Sequence, residues 1–211
     1  MKKSLIIRPF VICTVLALAG CSNAQDISQK NQIVEEQISE SDKIIIQKYK
    51  TLINNIDSTH TPESKEKLKN FLKESSKIKN QNEKEKIEMN IYMALEMYKE
   101  AYELNKRQLE EIPSQSNLFK HCELMQILEY PQNDLQNCQR RVAESIKEEL
   151  NKISKDDQAY AYAEWGYLLA MYKSGHNEYK DKMEKFIKST TDETMKFQFQ
   201  SSYEMAIERN N

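Results

Sequence analysis

The run Ala159-Tyr160-Ala161-Tyr162-Ala163-Glu164-Trp165-Gly166-Tyr167-Leu168-Leu169-Ala170-Met171-Tyr172 decides the fold. At helical periodicity, Tyr162, Trp165, Leu169 and Tyr172 form a bulky stripe, while Ala159, Ala163, Gly166 and Ala170 form a small-residue stripe beside it. A helix apolar on two faces sits inside an array. The small stripe admits a close neighbour, and the aromatic stripe fills the gap on the other side. Ser154 with Asp157 resembles a capping box at its start, with Asp in place of the usual Glu or Gln, and Gly175 is its C-cap.

The same periodicity spreads in both directions. A first helix is expected from Ile33 to Ile56, with Ile38, Ile45, Tyr49, Leu52 and Ile56 on one stripe. Thr61 before Pro62 is an N-cap with proline at the first helical position, opening a short helix with Leu68, Phe71, Leu72 and Ile78. Asn82 with Glu85 is expected to start a long helix through Ile87, Ile91, Ala94, Tyr98 and Ala101. That helix stops near Ile112, because a residue before proline is pushed out of helical geometry. Leu118 to Tyr130 is another helix, and Pro131 turns the chain into one ending near Ile153. After Gly175, a short helix carries Tyr179, Met183, Phe186 and Ile187. Thr190 with Glu193 caps a last one, carrying Phe197, Phe199, Tyr203 and Ile207. Beyond residue 20 only Gly166, Gly175, Pro62, Pro113 and Pro131 interrupt the pattern, and no hairpin turn or alternating run suggests a strand. The expectation is all-α: seven or eight antiparallel helices in hairpins.

The beginning of the chain has a different composition. Lys2, Lys3 and Arg8 precede a largely apolar stretch from Leu5 to Ala19, which ends in Leu18-Ala19-Gly20-Cys21. A basic start, a short apolar core and small residues before a cut site describe a secretory signal. The core is shorter than the about 20 residues of a membrane span. Leu18-Ala19-Gly20-Cys21 resembles the lipobox of bacterial lipoproteins. The resemblance covers residues 1–21 and implies cleavage between Gly20 and Cys21, diacylglycerol on the Cys21 thiol, and acylation of the new amine. Two or three acyl chains exceed what stable anchoring requires. In Gram-negative members Asp after the cysteine favours the inner membrane; here Ser22 follows, which implies the outer membrane, facing the periplasm. Three regions follow: a leader at 1–20, a lipidated N-terminus and polar tether at 21–31, and one helical domain at 32–211.

Residues 163–188 resemble a tetratricopeptide unit through Trp165, Leu168 or Leu169, Tyr172, the Gly175 turn and a second helix. Lys180 or Asp181 stands where that family places a small residue, no proline closes the unit, and no copy recurs at a period near 34 residues.

Removal of the leader takes away three basic groups and no acidic ones, moving the formal charge from -2 to -5. A mixed-charge acidic domain is a poor match for nucleic acid or anionic lipid. Basic runs such as Lys65-Glu66-Lys67 and Glu83-Lys84-Glu85-Lys86 read as solvated helix faces. Cys13 lies in the leader and Cys21 carries lipid, leaving Cys122 and Cys138. They flank the Tyr130-Pro131 turn at matching distances, so in an antiparallel helix pair the two sulfurs meet at the same height. In an oxidising compartment that pair reads as a disulfide.

Little points to catalysis. His60, His121 and His176 have no metal-ligand spacing, and no nucleophile elbow, phosphate loop or His-Glu-x-x-His motif occurs. Carboxylates are expected on charged faces. No enzyme activity, cofactor or metal is expected. Tyrosine is abundant, and Tyr160, Tyr167 and Tyr179 fall off the main apolar stripes. They suit either a protein-binding surface or the edges of the core. The expected role is a membrane-tethered module that binds another protein. It could inhibit a toxin as an immunity protein, for example against a basic phospholipase effector of a type VI secretion system, or act as an envelope assembly adaptor. A pocket near Trp165 for a small ligand is the competing expectation.

Overall fold

In a computed structural model that describes residues 38–56, 59 and 61–208, the polar residues at helix ends set where each helix starts. Ser39 accepts the Asp42 N–H at 3.1 Å and opens α1 (Glu40–Asn54). α1 thus starts at Glu40, and the part of the expected helix from Ile33 to residue 37 lies outside the described residues. Thr61 accepts the Ser64 N–H and opens α2 (Pro62–Ser75) as expected. α3 (Gln81–Ala94) is capped by Asn80, through Glu83 N–H at 3.0 Å, and not by Asn82.

The long helix expected from Asn82 to Ile112 is two. It breaks at Glu96, which takes a left-handed φ of 60°, and resumes as α4 (Tyr98–Glu111). The Met97 N–H reaches the Tyr92 carbonyl and the Glu96 N–H the Met93 carbonyl, which is a Schellman closure. The same pair of bonds ends α5 (Gln115–Ile127), with Glu129 at φ 56°. It also ends α7 (Gln158–Lys173), with Gly175 at φ 98°. Only the third of these closures uses glycine.

Between them, α6 (Gln132–Leu150) follows Pro131. Asp157, not Ser154, caps α7 by accepting the Ala159 N–H at 2.9 Å. α8 (Tyr179–Ser189) follows the Gly175 turn. α9 (Glu193–Glu208) is capped by Asp192, whose Oδ1 accepts the Met195 N–H at 2.8 Å, while Thr190 bonds back to the Phe186 carbonyl. Nine helices thus stand among the described residues, with no strand. Each packs chiefly on its neighbours in sequence, and α7 also touches α9.

Packing follows the two stripes of α7. Ala163 and Ala170 lie against Val142, Ala143 and Ile146 of α6 and the apolar face of α5. Gly166 faces the Ile146 side chain. On the opposite side Trp165, Leu168 and Tyr172 meet Met183 and Ile187 of α8 and Met195 and Phe199 of α9. The Trp165 ring stacks on Phe199 at 5.0 Å between centroids. Two further clusters complete the core: Ile45, Leu68, Phe71, Ile87 and Ile91 across α1–α3, and Met89, Ala101, Leu104 and Leu124 across α3–α5.

Cys122 of α5 and Cys138 of α6 form the expected disulfide, with Cα atoms 5.7 Å apart. Reducing it should lower the unfolding free energy by about 3 kcal/mol, the chain-entropy contribution of a loop this size, measured by urea denaturation with and without reductant. The two glycines should respond in opposite directions. A methyl at Gly166 would sit 3.4 Å from the flexible end of Ile146, an ordinary contact. Gly166→Ala should therefore stabilise by up to about 1 kcal/mol through helix propensity. Gly175→Ala meets Gln136 at 2.9 Å and keeps a left-handed φ, so a loss of about 1–2 kcal/mol is expected.

Candidate functional site

The tyrosines singled out by sequence divide. Tyr167 and Tyr179 come together across the α7–α8 turn, hydroxyl to hydroxyl at 3.3 Å and ring edge to ring face at 5.9 Å. The Lys182 ammonium lies 3.7 Å from the Tyr179 ring centre, and His176 packs edge-on at 6.2 Å. Tyr160 is two helical turns from Tyr167 on the same face of α7, outside this cluster. All three tyrosines are half-buried, and Tyr167 and Tyr179 pack against the edge of the α7–α9 core. Trp165 is packed by Phe186 and Phe199, and the two clefts that stand out among the described residues lie on other helices. Gly20 and Cys21 lie outside the described residues, as does His60.

Carboxylates do not all lie on charged faces. Asp42 is 1% exposed, and its two oxygens accept the Lys79 and Asn80 N–H groups at 3.1 and 3.0 Å. The Lys79 N–H, seconded by Asn80 and Ser39, holds its carboxyl below the ordinary range despite the cost of burial. The side chain clasps α1 to the turn between α2 and α3. Glu85, read as part of a solvated run, is also buried, its oxygens accepting Gln81 Nε2 at 2.6 Å and Gln108 Nε2 at 3.0 Å. These carboxylates are spent on holding the fold.

A second polar group links α4 and α5. Asn105, wholly buried, donates to the Asn117 carbonyl and meets His121 Nδ1 at 3.2 Å through its Oδ1. Tyr102 stacks on His121 at 4.8 Å and leans on Tyr130 at 5.2 Å. Burial, with a hydrogen bond to Tyr130 that favours the protonated hydroxyl, pushes Tyr102 up to about 12. Burial, then Arg141 and Lys106, pushes His121 down. No group of three or more His, Cys, Asp or Glu side chains suited to a metal occurs among the described residues.

What sequence reading missed is at the surface. Phe197, placed in the apolar stripe of α9, is 72% exposed, because Met195, Phe199 and Ala206 take the buried face and Phe197 points almost oppositely. Met205, 40% exposed, lies two turns further along that outer side. The local signal was the spacing, since residue 197 falls midway between two buried positions. On the first helix Ile44 is 59% exposed over a groove of about 740 Å³ along α1 and α2. Charge is segregated between these two ends. Residues 38–80 hold nine Lys against six Asp or Glu, whereas residues 81–211 hold eighteen Lys or Arg against twenty-four Asp or Glu.

No protein-family model matches the chain, and no curated protein or solved structure matches it.

A histidine whose pKa is lower folded than unfolded stabilises the fold above its ordinary value near 6.5, and that stability is lost as the pH falls below it. Unfolding followed by urea should therefore show the protein weakening between about pH 7 and pH 5. His121→Gln should flatten that part of the profile; an unchanged slope would assign the loss to other groups.

Proposed function

We propose that this chain is a non-catalytic binding protein, held by acyl chains on Cys21 at the outer membrane and facing the periplasm. There it would neutralise a basic toxin or secreted effector, such as a phospholipase delivered by a type VI secretion system. The observation that carries this reading is the outer side of α9. Phe197 is 72% exposed, Met205 is 40% exposed, and Glu193, Glu204 and Glu208 are exposed on the same element. An exposed aromatic with acidic neighbours is the composition of an anchor for a cationic protein: the ring supplies buried area on binding, and the carboxylates steer the encounter.

The Tyr167–Tyr179 pair supports the scaffold behind this surface and is not its centre. Nor does the reading assign a cofactor or a metal. The acidity of residues 81–211 provides long-range attraction that falls with salt.

An immunity gene is expected beside the gene of its toxin. The test is growth of cells that export the product of the adjacent gene to the periplasm, with and without this chain. Relief of toxicity by the wild-type chain is expected. Phe197→Asp should weaken binding at least tenfold, in keeping with an anchor worth about 2 kcal/mol, and should remove the relief without lowering the melting temperature. Toxicity that the wild-type chain does not relieve would overturn the assignment.

A further inference from the structure

The outer side of α1 and α2 has the opposite chemistry to α9. Its groove has an apolar floor of Ile44, Leu52 and Ile56 and a rim of Lys43, Lys48 and Lys67. The three ammonium groups pair with Glu40, Glu74 and Glu63, each at 2.6 Å. These are exposed pairs on long side chains, which contribute little and exchange readily. Of the six acidic residues in 38–80, Asp42 is buried with its oxygens already bonded, so the nine lysines of that stretch stand against five other carboxylates.

We propose that this face rests on an anionic phospholipid surface. Lys43, Lys48 and Lys67 reach lipid phosphates while Ile44 enters the boundary between headgroups and acyl chains. Two observations and one general property of lysine favour a bilayer over a protein as occupant. The groove is rimmed by lysine, the residue type that protein interfaces exclude from their centres, and it contains none of the aromatics that anchor them. Lysine stems lie along an apolar boundary while their ammonium groups stay in the polar layer, a geometry suited to a membrane. Between an acidic stretch at 21–37 and the acidic remainder of the chain, the excess of positive charge lies in residues 38–80, which span α1, α2 and the turn after them. The average acidity of the chain, which argued against anionic lipid, conceals this segregation.

The placement rests on the anchored reading above, but the contact itself does not need the anchor, so the two can fail separately. The basic face would lie on the bilayer, leaving the acidic α9 side free for a partner.

The test uses residues 21–211 with Cys21→Ser, so that no acyl chain contributes. The protein is sedimented with vesicles of equal parts phosphatidylglycerol and phosphatidylethanolamine, and separately with phosphatidylcholine vesicles. Partition into the anionic vesicles alone is expected, weakening as salt rises. Each of Lys43→Glu, Lys48→Glu and Lys67→Glu should cost roughly fivefold, the triple reversal correspondingly more, and Ile44→Asp roughly tenfold. The exposed pair Lys180→Glu/Lys188→Glu on α8 serves as the control and should leave binding unchanged. Melting temperatures are read for every variant, and the single reversals stand in for the triple one if it melts early. No partition, equal partition into both vesicle types, an unaffected triple reversal, or an equal loss in the α8 control would each overturn the proposal. None of these results would touch the inhibition assay, which reads the α9 side.

Discussion

A helix in the interior of a one-dimensional stack must satisfy two neighbours with opposite faces, and α7 shows what that demands. Its Gly166 side lets α6 approach to the Ile146 side chain, and its Trp165 side is filled by Phe199 from two helices later. Neither face could be made polar without detaching half of the array. The remaining helices have an easier task, with a single dominant stripe or a stripe shared between adjacent clusters. The α7–α9 contact gives the C-terminal helices a three-way junction, the one substantial departure from nearest-neighbour packing. The disulfide between α5 and α6 secures the pair on the other side of α7.

Much of this was legible from residue spacing. The α2 start at Thr61-Pro62, the α4 stop before Pro113 and the Gly175 closure all follow from backbone chemistry that a residue type announces. At three helix starts two polar residues competed for the cap, and at one of them a tertiary contact accompanies the choice. Asn80 prevails over Asn82 because the Asp42 carboxylate already holds the Lys79 and Asn80 N–H groups. Asp157 and Asp192 cap their helices where Ser154 and Thr190 were the expected caps. Glu96 and Glu129 occupy left-handed positions that glycine would have advertised, which is why one expected helix became two.

The surface was less legible than the core. Periodicity identifies apolar residues but assigns each to the nearest stripe, which drew Phe197 into a core it does not enter. Tyrosine content pointed to α7 and α8, where the hydroxyl pair of Tyr167 and Tyr179 closes a turn. Net charge was misleading in the same way, because a sum over the chain says nothing about where the signs lie. Both ends of the array became visible only once the helices had been put in order.

The Asp42 clasp has a consequence for how the stack comes apart. A linear assembly opens from its termini, and α1 is lightly held by apolar contact with α2. A single carboxylate, bonded to two backbone amides, adds to the Lys48–Glu74 pair and to the packing of Ile45 and Ile46. Protonation of that group weakens both bonds and loosens the first helix. Acid therefore acts at this edge as a hinge pin withdrawn, and Ile45 and Ile46 are the apolar residues that a loosened α1 would bare.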